Sequence, residues 1–128
     1  MKLKIDTKEK FNVLTPEESK ISANMTESIE KIGDYASFEI PHVILNMQMV
    51  NEIDDESAEK ISEIQQQFYE KNKSMVICQL QPSVEAVFEK LDLTDMMNIT
   101  PTESEAWDIL QMEEIERELL SDFEEENN

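Results

Sequence analysis

His42–Ser57 reads HVILNMQMVNEIDDES. It opens on the apolar run Val43-Ile44-Leu45, continues with Met47 and Met49 alternating against Asn46 and Gln48, and closes on Asp54-Asp55-Glu56-Ser57. Immediately beyond it, Ala58, Ile61, Ile64 and Phe68 fall at the spacing of one helix face. A strand, an acidic turn and an amphipathic helix are therefore expected in succession. A helix N-terminus exposes unpaired backbone N–H groups and the positive end of the helix dipole. Carboxylates placed there are stabilised, and this junction is the first candidate for a functional site.

Composition narrows the options. With 128 residues the chain is expected to form one domain, residues 1–120, followed by a disordered acidic tail, 121–128, that holds Glu124-Glu125-Glu126. The net charge is −19, and Arg117 is the sole arginine. Binding to phosphate backbones or to anionic lipid needs clustered Lys and Arg, so neither nucleic acid nor a membrane surface is an expected partner. The lone cysteine, Cys78, cannot form an internal disulfide and points to a reducing, cytoplasmic setting. No apolar run is long enough for a membrane-spanning helix, so no membrane insertion is expected. With Gly33 as the one glycine there is no phosphate-binding loop, and no cofactor is expected.

Working outward from the junction, MKLKID at the N-terminus alternates as a half-exposed strand, and Lys10–Leu14 reads as its hairpin partner, stopped by Thr15-Pro16. Ile21, Met25, Ile29 and Ile32 predict a helix with Ser22 or Asn24 at its N-cap and Gly33 as a left-handed C-cap. The second helix runs from about Glu56 to Asn72. Met75–Leu80 reads as a strand covered on both sides. Pro82 suits the first position of a third helix reaching about Leu91. Met96–Ile99 reads as a last short strand. Thr102 with Glu105 has the capping-box spacing for a final helix, with Ala106, Ile109, Leu110, Met112 and Leu119 on its apolar side.

Two strands, a helix, then strand–acidic turn–helix, strand–helix and strand–helix resemble the STAS domain of sulfate transporters and anti-sigma factor antagonists. In bacterial antagonists of that family the apolar strand runs into Asp-Ser-Ser-Gly or Asp-Ser-Thr-Gly. Aligning on Asp54 places Ala58 and Ile61 where the family has helix leucines. Met75–Leu80 with Gln81-Pro82-Ser83-Val84, and Met97–Ala106, resemble the family's later strand–helix units. The resemblance spans roughly residues 1–115. It implies an α/β fold, a STAS-like mixed central sheet of about five strands with about four helices and a long C-terminal helix. It also implies a non-enzymatic regulatory module that binds a protein partner, an anti-sigma-type kinase or related regulator. A structural subunit stabilising a transporter ATPase or a sensory assembly is the alternative.

One departure matters. Where phosphorylatable members carry Ser or Thr after the Asp, this chain has Asp55, and Ser57 stands where the glycine is usual. The phosphoacceptor equivalent is thus Asp55, which cannot be phosphorylated as Ser or Thr can. The partner-binding residues expected from this reading are Asp54, Asp55, Glu56 and Ser57, with Met112, Ile115 and Leu119 of the final helix as a further surface for a partner or a second copy of the chain (a homodimer). The local alternative for the acidic turn is an N-cap with first-turn acids, each contributing about 0.5–1 kcal/mol. No catalytic residue, cofactor-binding residue or metal ligand is expected: His42 is the one histidine, Cys78 lies among core residues, and Asp6 has no acidic neighbour of the kind a phosphoacceptor receiver needs.

Overall fold

The computed structural model describes residues 1–126. Its strands are β1 (Leu3–Thr7), β2 (Phe11–Pro16), β3 (Lys20–Ile21), β4 (His42–Asn46), β5 (Glu52–Ile53), β6 (Met75–Cys78) and β7 (Ile99–Thr100). Its helices are α1 (Thr26–Gly33), α2 (Asp55–Glu70), α3 (Pro82–Lys90) and α4 (Glu103–Glu126). The main sheet has the order β1-β2-β4-β6-β7. β1 is antiparallel to β2, and every other neighbouring pair is parallel. β3 and β5 form a separate parallel pair.

Parallel strands need helices on both faces, and the two central strands show why. Val43, Ile44, Leu45, Met75, Val76, Ile77 and Cys78 are all fully buried. Their alternation divides them between two cores. Val43, Leu45, Met75 and Ile77 pack with Ile29, Ile32, Ile61, Ile64, Phe68, Val84 and Phe88 under α1, α2 and α3. Ile44, Val76 and Cys78 point the other way, to Val13, Ala106 and Leu110 under α4, whose Trp107 stacks on Phe11 with ring centres 4.5 Å apart. One layer of three helices, the sheet, and one long helix result.

Several local expectations are corrected. β4 ends at Asn46, and the Met47/Met49 alternation does not persist: Met47 is buried whereas Met49 is 46% exposed, because the chain turns there. Ile21 belongs to β3, and the helix it was assigned to begins only at Thr26, after a 3-10 turn over Ala23–Met25. Neither Ser22 nor the Met25 N-cap of α1 makes a side-chain capping bond. Gly33 has φ −61° and continues into a second 3-10 turn, so it is no left-handed cap. The left-handed caps are Asn72 (φ 60°) and Asp92 (φ 61°). Each closes its helix by a Schellman pair: Lys73 N to Phe68 O and Asn72 N to Tyr69 O, Leu93 N to Phe88 O and Asp92 N to Glu89 O. Thr94–Met96 is a 3-10 turn, and the last strand starts only at Ile99. Helix α4 is described to Glu126; Asn127 and Asn128 lie outside the described residues.

Phe68, fully buried where α2 meets the sheet, tests this packing. Phe68→Ala is expected to cost about 3–5 kcal/mol in urea unfolding. Ile5→Ala, on the exposed β1 edge, is expected to cost well under that, within about 1 kcal/mol. Equal costs would contradict the assignment of the core.

Candidate functional site

The acidic turn is held in place by the residues that precede it. Met47 and Val50 are buried plugs; Met47 N donates to Cys78 O and Val50 N to Met47 O. Between them the loop is tied to the ends of the sheet. Asn46 Nδ2 donates to Gln79 Oε1 at 2.6 Å and to Glu103 Oε1 at 3.2 Å, and Asn46 Oδ1 accepts from Gln48 N at 3.0 Å. Gln81 Nε2 reaches Gln48 O at 2.8 Å and Ser83 Oγ reaches Asn51 O at 2.6 Å. Gln79 adopts φ 56°, a left-handed backbone unusual for glutamine, where β6 leaves the sheet. β5 then pairs with β3, and Asp54 N donates to Ile21 O at 3.2 Å.

Asp54 itself is the N-cap of α2. Its Oδ1 accepts from Ser57 N at 2.9 Å, the N3 position, as an N-cap carboxylate should. Its Oδ2 accepts from Ala23 N at 2.7 Å, at the start of the 3-10 turn that leads to α1. One carboxylate thus joins two helix starts that are far apart in sequence. The Ser57 hydroxyl beside the carboxylate, then the N–H bonds from Ser57 and Ala23 and the nearby Lys20, hold its pKa below the ordinary 3.8 against the opposing effect of partial burial. A depressed folded pKa stabilises the fold at neutral pH, and that contribution disappears as pH falls below 3.8 and through the folded value.

The next residues differ sharply from one another. Asp55 stands at the surface, with Oδ1 2.7 Å from Lys90 Nζ of α3; both side chains are more than half exposed. Such a pair is worth about 0–1 kcal/mol. Glu56 is exposed and lines a shallow cleft with Thr26, Glu59, Lys60 and Glu63. Ser57 is 1% exposed; its hydroxyl lies near the Asp54 carboxylate but makes no hydrogen bond of good geometry among the described residues. It faces inward and is not part of the presented surface. The exposed Lys20–Glu52 pair at 2.9 Å lies next to the turn, on β3 and β5.

Met112, Ile115 and Leu119 do not join this surface. α4 starts beside Asn46, at the C-terminal end of β4, and runs back along the opposite face of the sheet until Glu114 meets His42 and Arg117 meets Lys73, at the beginnings of β4 and β6. The two candidate surfaces therefore lie at opposite ends and on opposite faces of the domain. Met112, assigned to the apolar side of α4 that packs inward, is in fact 59% exposed.

Cys78 is buried, and burial, with Glu103 nearby, pushes its thiol up to about 12. His42 is buried and accepts a hydrogen bond at Nδ1 from Ser74 N at 3.1 Å; burial lowers its pKa. Among the described residues there is no group of three or more potential metal ligands, and no helix is long and apolar enough to cross a membrane.

Residues 2–106 match the family model of the STAS domain. The chain belongs to the STAS domain family. Solved structures share the fold. A Thermotoga maritima protein described as a candidate anti-sigma factor antagonist is 18% identical, with a TM-score of 0.74 over 85% of this chain and 94% of its own. An anti-sigma-factor antagonist (STAS) domain protein from Planctomyces limnophilus is 12% identical, with a TM-score of 0.73 over 85% and 97%. The anti-sigma factor antagonist SpoIIAA of Bacillus, solved in unphosphorylated and phosphorylated forms, has TM-scores of 0.67 and 0.61 at 16% and 15% identity; the unphosphorylated match covers 86% of this chain and 96% of SpoIIAA, the phosphorylated match 84% and 97%. No curated protein sequence matches the chain.

Asp54→Ala is expected to lower the stability of the domain by about 1–2 kcal/mol in urea unfolding, and the deficit should shrink in acid, where the wild-type carboxyl is protonated. Asp55→Ala and Glu56→Ala should stay within about 0.5 kcal/mol. Ser57→Glu, which buries a charge, should destabilise by more than any of these. A Ser57→Glu protein as stable as wild type would contradict the inward placement of this residue.

Proposed function

We propose that this STAS domain is a non-enzymatic regulatory interaction module of the anti-sigma factor antagonist type. It docks onto an anti-sigma-type kinase or related regulator through Asp55, Glu56 and the exposed flank of α2. The observation that carries the reading is the fixed, outward-facing acidic pair at the helix start where related antagonists present a phosphoacceptor. Asp54 supplies no free charge to a partner, since both of its oxygens accept backbone N–H bonds. Its part is to hold Asp55 and Glu56 in one position.

On this reading the turn is not switched by phosphorylation. Asp55 has no hydroxyl, and the hydroxyl of Ser57 is buried. The turn carries a permanent negative charge instead. A phosphoserine would bring about −1.5 to −2 charges and three acceptor oxygens. Asp55 brings one charge and two oxygens, and part of that charge is offset by Lys90. The partner surface that fits is one with basic groups placed for a modest, constant charge, with affinity governed by the partner's own state.

The test is affinity capture from the native cytoplasm with wild type, Asp55→Ser and Asp55→Lys, read by mass spectrometry. Wild type should retain an anti-sigma-type kinase or related regulator, and Asp55→Lys should recover about tenfold less of it. Identical partner sets for all three proteins would reduce the acidic turn to a helix cap. A transporter ATPase in the wild-type set would favour the structural-subunit role.

A further inference from the structure

The second half of α4 is an amphipathic helix with its faces exchanged. Ala106 and Leu110 lie on the inward face and are fully buried. At 3.6 residues per turn, the next positions on that face are Glu113 and Arg117. Both are fastened to the domain by polar contacts. Glu113 Oε1 accepts from Tyr69 OH at 2.8 Å and Oε2 from Asn98 Nδ2 at 3.1 Å. Arg117 Nη2 donates to Lys73 O at 3.0 Å and Ser74 Oγ at 2.8 Å, with the guanidinium 6.0 Å from the centre of the Tyr69 ring. His42 Nε2 lies 3.5 Å from Glu114.

The outward face carries the apolar residues. Met112, Ile115 and Leu119, at i, i+3 and i+7, are 59%, 55% and 63% exposed. A helix that served only its own domain would bury that stripe and expose its charges. Here charged side chains hold the helix down, and the apolar stripe is left as a preformed ridge. Beside it, Lys10, Gln111, Glu114, Ile115 and Glu118 line a cleft of about 270 Å³. The family match ends at residue 106, so this ridge lies outside the part of the chain shared with the family.

We propose that the Met112–Ile115–Leu119 ridge is a second docking site, and that its occupant is a basic amphipathic helix of another protein. Charge selects the occupant. Residues 113–120 hold four glutamates and one arginine in a chain of net charge −19. A second copy would set two such glutamate-flanked ridges against each other, with like charges at the flanking positions. Anionic lipid and nucleic acid are repelled in the same way. A leucine seam flanked by lysines or arginines covers the apolar stripe and pairs with Glu114, Glu116 and Glu118. This site is independent of the α2 turn, and the domain can hold two partners at once from opposite ends.

The full chain is titrated with two synthetic peptides at physiological salt. One is a leucine–lysine amphipathic helix with leucine at i, i+3 and i+7. The other has the same charge, with serine in place of leucine. The proteins are wild type, Asp55→Lys, and the triple variant Met112→Ser, Ile115→Ser, Leu119→Ser, which keeps every charge and replaces only exposed side chains. Wild type and Asp55→Lys should bind the leucine peptide about tenfold or more tighter than the serine peptide, and the triple variant should lose that preference with its thermal melt unchanged. Equal affinity for both peptides, or an unchanged preference in the triple variant, overturns the proposal. So does a wild-type dimer in sedimentation that the triple variant abolishes, since a second copy would then be the occupant.

Discussion

The Asp54 carboxylate is the contact on which the rest of the site depends. One oxygen caps α2 and the other caps the 3-10 turn before α1. Together with the β3–β5 pairing and the Asp54 N–Ile21 O bond, it fixes the angle at which α2 leaves the sheet. Without it, both helix starts would present unpaired N–H groups at one place. Both of its oxygens are taken up in this structural duty, whereas Asp55 and Glu56 stand free of it. Asp54 is therefore tied down by both oxygens, and Asp55 and Glu56 are the exposed residues of the turn.

The second constraint is the burial of β4 and β6 on both faces. Seven consecutive-strand side chains without exposure require helices above and below. That requirement places α1, α2 and α3 on one face and draws α4 across the other, where the Asn46–Glu103 contact starts it and the Tyr69–Asn98–Glu113 and Arg117–Ser74 contacts anchor its continuation. The acidic turn and the α4 ridge come to opposite ends of the domain as a direct result.

Much of the fold was legible in the sequence because its main elements are strongly periodic. The 43–45 and 75–78 runs, the α2 spacing through Phe68, Pro82 at the head of α3 and the Thr102 cap, whose Oγ1 accepts from Glu105 N at 3.1 Å, all carry local signals. The two-residue strands β3 and β5 carry none, since they exist only through pairing with each other. Gly33 was misleading because helix ends accept Asn and Asp in the left-handed region, and Asn72 and Asp92 serve there. In α4, Ala106 and Leu110 on one face and Met112, Ile115 and Leu119 on the other merged into a single apolar side when read as a list. Their separation needed the sheet to define which face is inward. The link from Asp54 to Ala23 is long-range and leaves no trace in local spacing.

The place of the acidic turn rests on the Asp54 carboxylate and its two N–H donors. Carboxyl-carbon NMR of the labelled chain, followed through an acid titration, measures this directly. Asp54 is expected to titrate below the ordinary value of 3.8, with the amides of Ala23 and Ser57 shifting in the same transition. An Asp54 pKa at or above 3.8, with the two amides unresponsive, would mean that the carboxylate is not held by those donors and that the turn presents no fixed surface to a partner.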